Sequence, residues 1–140
     1  MSASNLIEIR DVSHAFQTKD GPLHVLDHLD IAVPEGGFCA VVGPSGCGKS
    51  TLTRLIAGLM IPDAGEVWLH GEPVRGPRST VGMAFQNPVL LEWRTILQNV
   101  LLPLEIVPTT LSRKAREERA RFLLALVGLD GFEDKKPSEL

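Results

Sequence analysis

The sequence has few cysteines, no long hydrophobic run and no excess of basic residues. Two cysteines among 140 residues are too few for a disulfide-stabilised scaffold and favour a reducing compartment. No apolar run approaches the roughly 20 residues of a membrane-spanning helix, and the N-terminus lacks the pattern of a secretory signal. A net charge of −3 gives no support to a nucleic-acid-binding surface, which usually carries a clustered basic excess. These absences predict a cytoplasmic protein that does not bind nucleic acid.

The rest of the composition is that of a globular domain. Hydrophobic residues make up 44% and charged residues 22%, both within the usual range. The front of the chain is predicted to be rich in β-strands. Residues 28–33, HLDIAV, alternate like a half-buried strand, and residues 38–42, FCAVV, are predicted to form a strand covered on both faces. That prediction places Cys39 in a buried strand. Residues 61–74 are predicted to return to β, and residues 81–85, VGMAF, are predicted to form another short strand.

Helical spacing appears in three places. Residues 49–59 place Leu52, Leu55, Ile56 and Leu59 on one side. Thr95 with Gln98 three residues later is typical of a capping box, which predicts a helix start at this point. Residues 111–129 predict an amphipathic helix that Gly128 helps to end. The apolar side of this helix is expected to carry Leu111, Ala115, Phe122, Leu126 and Leu129.

The strongest chemical signal is the segment GPSGCGKS at residues 43–50, which satisfies the phosphate-binding pattern G-x-x-x-x-G-K-[ST]. The glycines allow several backbone N–H groups to face one anion, and the following helix adds its positive end. Lys49 is expected to reach the β- and γ-phosphates, and the Ser50 hydroxyl is expected to ligate Mg²⁺. An apolar run precedes the loop and an amphipathic helix follows it, which is the context this motif requires.

Two further residues are candidates for the nucleotide site. Phe16 either stacks on a base or is a core or edge phenylalanine. Gln86 follows the predicted strand at residues 81–85, and it either contacts Mg²⁺ or a water at the strand's carboxyl end or is a surface glutamine. The guanine-specific pattern Asn/Thr-Lys-x-Asp fails at Gly21 in TKDG. ATP is therefore the expected nucleotide.

A hydrolytic site of this kind also needs an acidic residue after an apolar strand. The three apolar runs that end in a carboxylate reach Glu92, Glu105 and Asp130, and none of them has the sequence of such a strand. The four histidines, His14, His24, His28 and His70, are expected to be surface or edge residues. No complete catalytic set is predicted within these residues.

Together these motifs resemble the ATP-binding subunits of ABC transporters over the chain from about Leu6 to Leu140. The resemblance rests on Phe16, the loop GPSGCGKST, the segment GMAFQNPVLLEW and the following RTILQNVLLPLEI. The last segment is most similar to the branch that serves nitrate, sulfonate, taurine and thiamine-precursor importers. The resemblance implies an α/β fold, the P-loop NTPase front half of an ABC nucleotide-binding domain. Its parts are an antiparallel β subdomain with the P-loop core at residues 1–94 and the start of a helical subdomain at residues 95–140.

The resemblance also implies ATP and Mg²⁺ as ligands, with Ser50 and Gln86 as metal contacts. The expected partners are transmembrane permease subunits of an importer and a second copy of the chain, at the cytoplasmic face of the cell membrane. The loop near Gln86 is expected to contact the permease. The implied ATP-binding residues are Phe16, Gly43, Pro44, Ser45, Gly46, Cys47, Gly48, Lys49, Ser50, Thr51 and Gln86.

Family members continue past a phrase like PSEL into a Ser-Gly-Gly signature, whereas this sequence reaches residue 140 at PSEL. The signature, the Walker-B aspartate, the catalytic glutamate and the switch histidine are therefore expected to be missing, and the chain to bind ATP without hydrolysing it. Two other classes stay open: a small-molecule P-loop kinase, against which the β-rich front argues, and a non-catalytic nucleotide-binding module.

Overall fold

A four-stranded antiparallel sheet organises the first of two units in the chain. The computed structural model describes residues 5–87 and 90–140, and the two units are Met1–Met83 and Ala84–Leu140. The sheet has the strand order β2-β1-β3-β4, with β1 at Asn5–Thr18, β2 at Gly21–Pro34, β3 at Ala64–Leu69 and β4 at Glu72–Pro73. All three neighbouring pairs are antiparallel. The predicted antiparallel β region is confirmed.

One helix, α1 (Lys49–Ile56), contributes to the core of this unit. Leu52 and Leu55 are 3% and 1% exposed and belong to the same cluster as the buried residues Ile9, Val12, Leu26, Val67 and Leu69 of the strands and Val74, which follows β4. The predicted apolar side of α1 is confirmed for these two leucines. Leu59 lies beyond the end of the helix and is 49% exposed, so the prediction that it continues this side is wrong.

The predicted buried strand at residues 38–42 is not formed. These residues have no strand pairing, Phe38 and Val42 are 95% and 88% exposed, and Cys39 is exposed. A strand covered on both faces needs hydrogen-bonded neighbours and packed layers above and below it. No strand of residues 5–87 and 90–140 pairs with this segment. Its hydrophobic sequence alone therefore does not make it a strand here.

The second unit contains α2 (Ile96–Ile106), α3 (Arg113–Leu126) and a short 3-10 turn at Pro137–Glu139. Thr95 caps α2 as predicted: its hydroxyl accepts the Gln98 N–H at 3.2 Å, and the Gln98 side chain accepts the Thr95 N–H at 3.0 Å. None of the helices within the described ranges is both long enough and apolar enough to span a lipid bilayer. The division into domains at residue 94 stays a prediction.

The buried face of α3 differs from the predicted one. Ala120 and Leu124 pack with Ile96 and Leu97 of α2, whereas Phe122 and Leu126 are 56% and 70% exposed. At 100° per residue, positions 122 and 126 lie roughly opposite positions 120 and 124 on the helix. The predicted end of α3 is confirmed: Gly128 has a φ of 76°, and the N–H groups of Gly128 and Leu129 donate to the carbonyls of Ala125 and Leu124. This is the Schellman arrangement.

An exposed ion pair joins bulged positions of the β1–β2 hairpin. Asp11 and His28 both have left-handed backbones, with φ of 52° and 46°, and the His28 Nδ1 lies 2.6 Å from the Asp11 carboxylate. The hydrogen bond to Asp11, together with the charges of Asp11, Asp27 and Asp30, raises the pKa of His28 above its ordinary value. Protonated His28 therefore stabilises the folded hairpin.

We expect this stabilisation to be complete below the unfolded-state pKa of histidine, about 6.5, and to disappear as the pH rises through the raised pKa of folded His28. The effect is expected to be small and salt-sensitive, since both side chains are exposed. An NMR titration of the His28 ring measures it, with Asp11→Asn as the comparison, because asparagine tolerates the left-handed backbone. A His28 pKa that Asp11→Asn leaves unchanged would contradict the assigned cause.

Candidate phosphate-binding site

The candidate site is the loop at residues 43–51, held between the exposed segment 38–42 and helix α1. Leu52 and Leu55 anchor the helix in the core, and Thr51 is buried at 7% exposure. Pro44, Ser45, Gly46 and Cys47 are exposed. The loop is thus fixed at its helical end and open to solvent along most of its length.

Two glycines of the loop lie close to neighbouring atoms. Gly48, the residue before α1, has a φ of 96°, and a Cβ there would lie 2.9 Å from both Cγ1 and the carbonyl oxygen of Val25. A Cβ on Gly43 would lie 2.8 Å from the Cys47 sulfur. Glycine is required at position 48, where the left-handed backbone and the Val25 carbonyl both exclude a side chain, whereas a side chain at position 43 would only have to displace the exposed Cys47 thiol. Gly48 also brings the start of α1 directly against strand β2.

The N-terminus of α1 suits an anion. No side chain caps it, and no acidic residue lies in its first turn. The first backbone N–H groups of a helix lack intrahelical partners, and the helix dipole places partial positive charge at this end. Ser50 lies in the same turn and is exposed, which leaves its hydroxyl accessible to a ligand.

The Lys49 side chain folds back over the loop. Its ammonium donates to the carbonyl oxygens of Gly43 and Pro44 at 2.8 and 2.6 Å, and the Cys47 sulfur lies 3.6 Å away. An ammonium has three N–H donors, and a thiol is a weak acceptor. A phosphate oxygen is a better acceptor for the third donor. Two loop carbonyls therefore hold a positive charge above the helix N-terminus.

Phe16 lies on the hairpin against which the loop packs. It is 37% exposed and faces Leu23 across the β1–β2 pair, two residues along β2 from Val25. Val25 in turn adjoins Gly48 of the loop, so Phe16 lies near the residues of β2 against which the loop packs. The Phe16 ring is perpendicular to the His14 ring, with centroids 5.0 Å apart. The structure thus places Phe16 and the loop in the same unit.

Gln86 belongs to the second unit and is exposed in a bend. The predicted strand before it is not formed, since residues 81–85 lack strand pairing. A short apolar run needs a neighbouring strand in register, and residues 5–87 and 90–140 offer none there. Residues 88 and 89 of the predicted permease-contacting loop lie outside the described residues, and the role of Gln86 stays a prediction.

The carboxylates at the ends of apolar runs are not at strand ends. Glu105 lies in α2 and pairs with Arg94 at 2.7 Å, while Glu92 and Asp130 lie in turns. This agrees with the expectation that none of them follows a strand. No group of three or more histidine, cysteine or acidic side chains within the described ranges could hold a metal ion.

Sequence reasoning missed two buried polar residues. His14 is 8% exposed, so its prediction as a surface or edge residue is wrong. Its spacing two residues after the apolar Val12, which is fully buried on the same strand, was the available signal. Asn99 on α2 is also 8% exposed; its side chain accepts the Leu91 N–H at 2.7 Å and donates to the Leu91, Arg94 and Thr95 carbonyls. It fixes the segment that leads into α2.

Known proteins are similar to this chain in sequence and in fold. The family model described as ABC transporter matches residues 26–140. A nitrate import ATP-binding protein of Synechocystis is 40% identical over 134 residues, covering 96% of this chain and 50% of that protein. A methionine import ATP-binding protein of Enterococcus faecalis is 41% identical over 143 residues, covering 96% of this chain and 41% of that protein. The chain thus spans about half the length of such relatives.

A solved structure gives the same result at the level of the fold. It is a dimeric post-hydrolysis state of an ATP-binding cassette bound to ADP and Pi, and it is 28% identical to this chain, with a TM-score of 0.84. The match covers 96% of this chain and 62% of the solved one. The resemblance of the motifs, the match of the family model over most of the chain and the shared fold agree. This chain belongs to the ABC transporter family.

Proposed function

We propose that this chain binds Mg·ATP through the loop at residues 43–51. The observation that carries the proposal is the position of Lys49, whose ammonium is held by the Gly43 and Pro44 carbonyls over an uncapped helix N-terminus. The backbone N–H groups of the loop and the Lys49 ammonium bind the phosphates. Phe16, on the adjoining hairpin, stacks on the adenine.

The metal ligands proposed are the Ser50 hydroxyl and the Gln86 side-chain oxygen. Mg²⁺ prefers oxygen ligands and usually keeps several waters, and the exposed Ser50 hydroxyl suits such a shell, while Gln86 is proposed from the family resemblance alone. Bound Mg²⁺ neutralises charge on the β- and γ-phosphates. Ser50, in the first turn of α1, would hold the ion beside the loop that is proposed to bind the phosphates.

In the cell, we propose that the chain acts as the ATP-binding subunit of an ABC importer. Its partners are then transmembrane permease subunits and a second copy of the subunit, at the cytoplasmic face of the membrane. The nitrate and methionine import relatives support uptake of a small solute, and the resemblance of residues 94–106 favours the nitrate, sulfonate and taurine class. The dimeric cassette structure supports the pairing of two subunits.

Calorimetric titration of the full 140-residue chain tests the proposed binding. We expect saturable binding of Mg·ATP at one site, and much weaker binding of AMP, because AMP lacks the β- and γ-phosphates that Lys49 contacts. Adding EDTA is expected to weaken ATP binding, since the metal shell is lost. A folded chain that binds neither nucleotide, or binds AMP as well as ATP, would contradict the proposal.

A further inference from the structure

His14 is a buried histidine without hydrogen bonds. Its side chain is 10% exposed, and within the described residues neither ring nitrogen has a hydrogen-bond partner. The Asp63 carboxylate lies 3.3 Å from Nδ1, close enough for electrostatic contact but outside hydrogen-bonding geometry. Buried polar groups are normally hydrogen-bonded. The unpaired His14 ring therefore indicates a role other than hydrogen bonding.

The contact between the His14 ring and the Phe16 ring indicates what this role is. The two rings are 88° apart in plane, with centroids 5.0 Å apart, which is the favourable edge-to-face geometry of aromatic pairs. Phe16 is 37% exposed, and Leu23 opposite it is 56% exposed, so part of the Phe16 side chain is open to solvent. A perpendicular neighbour occupies at most one face of a ring and leaves the other available for stacking.

Asp63 fixes the backbone that carries both rings. Its carboxylate accepts the Ala15 N–H at 2.7 Å, and its own N–H donates to the Ser13 carbonyl at 3.0 Å. The β1–β2 register shifts on both sides of His14, as at a β-bulge, which re-aims side chains. The turn before β3 thus clamps the strand at the residues that flank His14.

We propose that His14 is a positioning residue for the nucleotide base: it holds the Phe16 ring edge-to-face so that the free face of Phe16 stacks on adenine. This inference rests on the proposed ATP site and concerns its base-binding part alone. His14 acts through Phe16 and is not assigned a contact with the nucleotide. The phosphate loop is expected to work independently of it.

The base-binding part and the phosphate loop are tested separately by measuring how two ligands bind to the 140-residue chain. Mg·ATP has a base, and inorganic tripolyphosphate with Mg²⁺ has only the phosphates. We expect His14→Leu to weaken ATP binding about two- to tenfold, the range of an aromatic pair, and to leave tripolyphosphate binding unchanged. His14→Phe, which restores a ring, is expected to recover most of the ATP affinity. His24→Leu, an exposed histidine on β2 of the same hairpin, is the control and is expected to bind both ligands like wild type.

The outcomes distinguish the inference from the proposed function. A wild-type chain that binds neither ligand refutes the ATP site itself, and with it the role of His14. With wild-type binding intact, His14 is not a positioning residue if His14→Leu weakens both ligands equally, if it weakens neither, or if His14→Phe fails to recover ATP affinity. Thermal unfolding identifies a variant that does not fold, and His14→Gln, which keeps a side chain without a ring, then replaces His14→Leu.

Discussion

Replacing Lys49 with alanine is expected to weaken Mg·ATP binding ten- to a hundredfold without unfolding the chain. A hydrogen bond to a charged group contributes about 1.5–3 kcal/mol, which corresponds to roughly that loss of affinity. Lys49 also bonds the Gly43 and Pro44 carbonyls, but both lie in an exposed loop where water can replace the ammonium. The core leucines of α1 are unaffected, so the loss is expected in binding and not in folding.

Calorimetry with Mg·ATP measures the change, and thermal unfolding verifies that the variant is folded. Arg75→Ala is a matched control, because it removes one positive charge from an exposed residue of the same unit outside the loop. It is expected to bind like wild type. Unchanged ATP affinity in folded Lys49→Ala, or an equal loss in Arg75→Ala, would mean that the loop does not bind the phosphates.

Features that depend on neighbouring residues could be predicted from the sequence. The capping box at Thr95 and Gln98, the Gly128 helix end and the helix start after the glycine loop are each determined within a few residues. Their backbone conformations follow from hydrogen bonds and sterics that the local sequence alone specifies. The left-handed backbones of Gly46 and Gly48 also belong to this group, whereas the role of their loop in phosphate binding stays a prediction.

Features that depend on distant partners could not be predicted. Residues 38–42 read as a buried strand, but hydrophobicity does not supply the neighbouring strands that burial requires. Periodicity indicated that α3 has an apolar side, yet which of its residues are buried depends on how α2 packs, and Ala120 and Leu124 face that contact. His14 is buried because Asp63, from a turn 49 positions further along the chain, lies against its strand. No local sequence pattern specifies this contact between residues that are far apart in the chain.

The second large effect concerns catalysis: the 140-residue chain is expected to bind Mg·ATP yet release phosphate no faster than background. Phosphoryl transfer to water needs a group that positions the water and charges that stabilise the transferring phosphate. In the proposed function, Lys49 and Ser50 would supply nucleotide binding and part of the metal shell but not these groups. Of the carboxylates that end apolar runs, Glu105 lies in α2 and is paired with Arg94, which precedes that helix, and Glu92 and Asp130 lie in turns.

Losing the group that positions water has a larger effect than losing one binding contact, because it acts on the rate of the chemical step. Removing a single general base or electrostatic group typically lowers the rate about 10²- to 10⁴-fold, and several are expected to be missing from these residues together. A phosphate-release assay on the purified chain measures the rate beside Lys49→Ala, which reports contaminating ATPase. We expect the two to be indistinguishable. Sustained turnover in wild type that Lys49→Ala abolishes would show that a carboxylate within these 140 residues serves as the base, and Glu92→Gln, Glu105→Gln and Asp130→Asn would then identify which one.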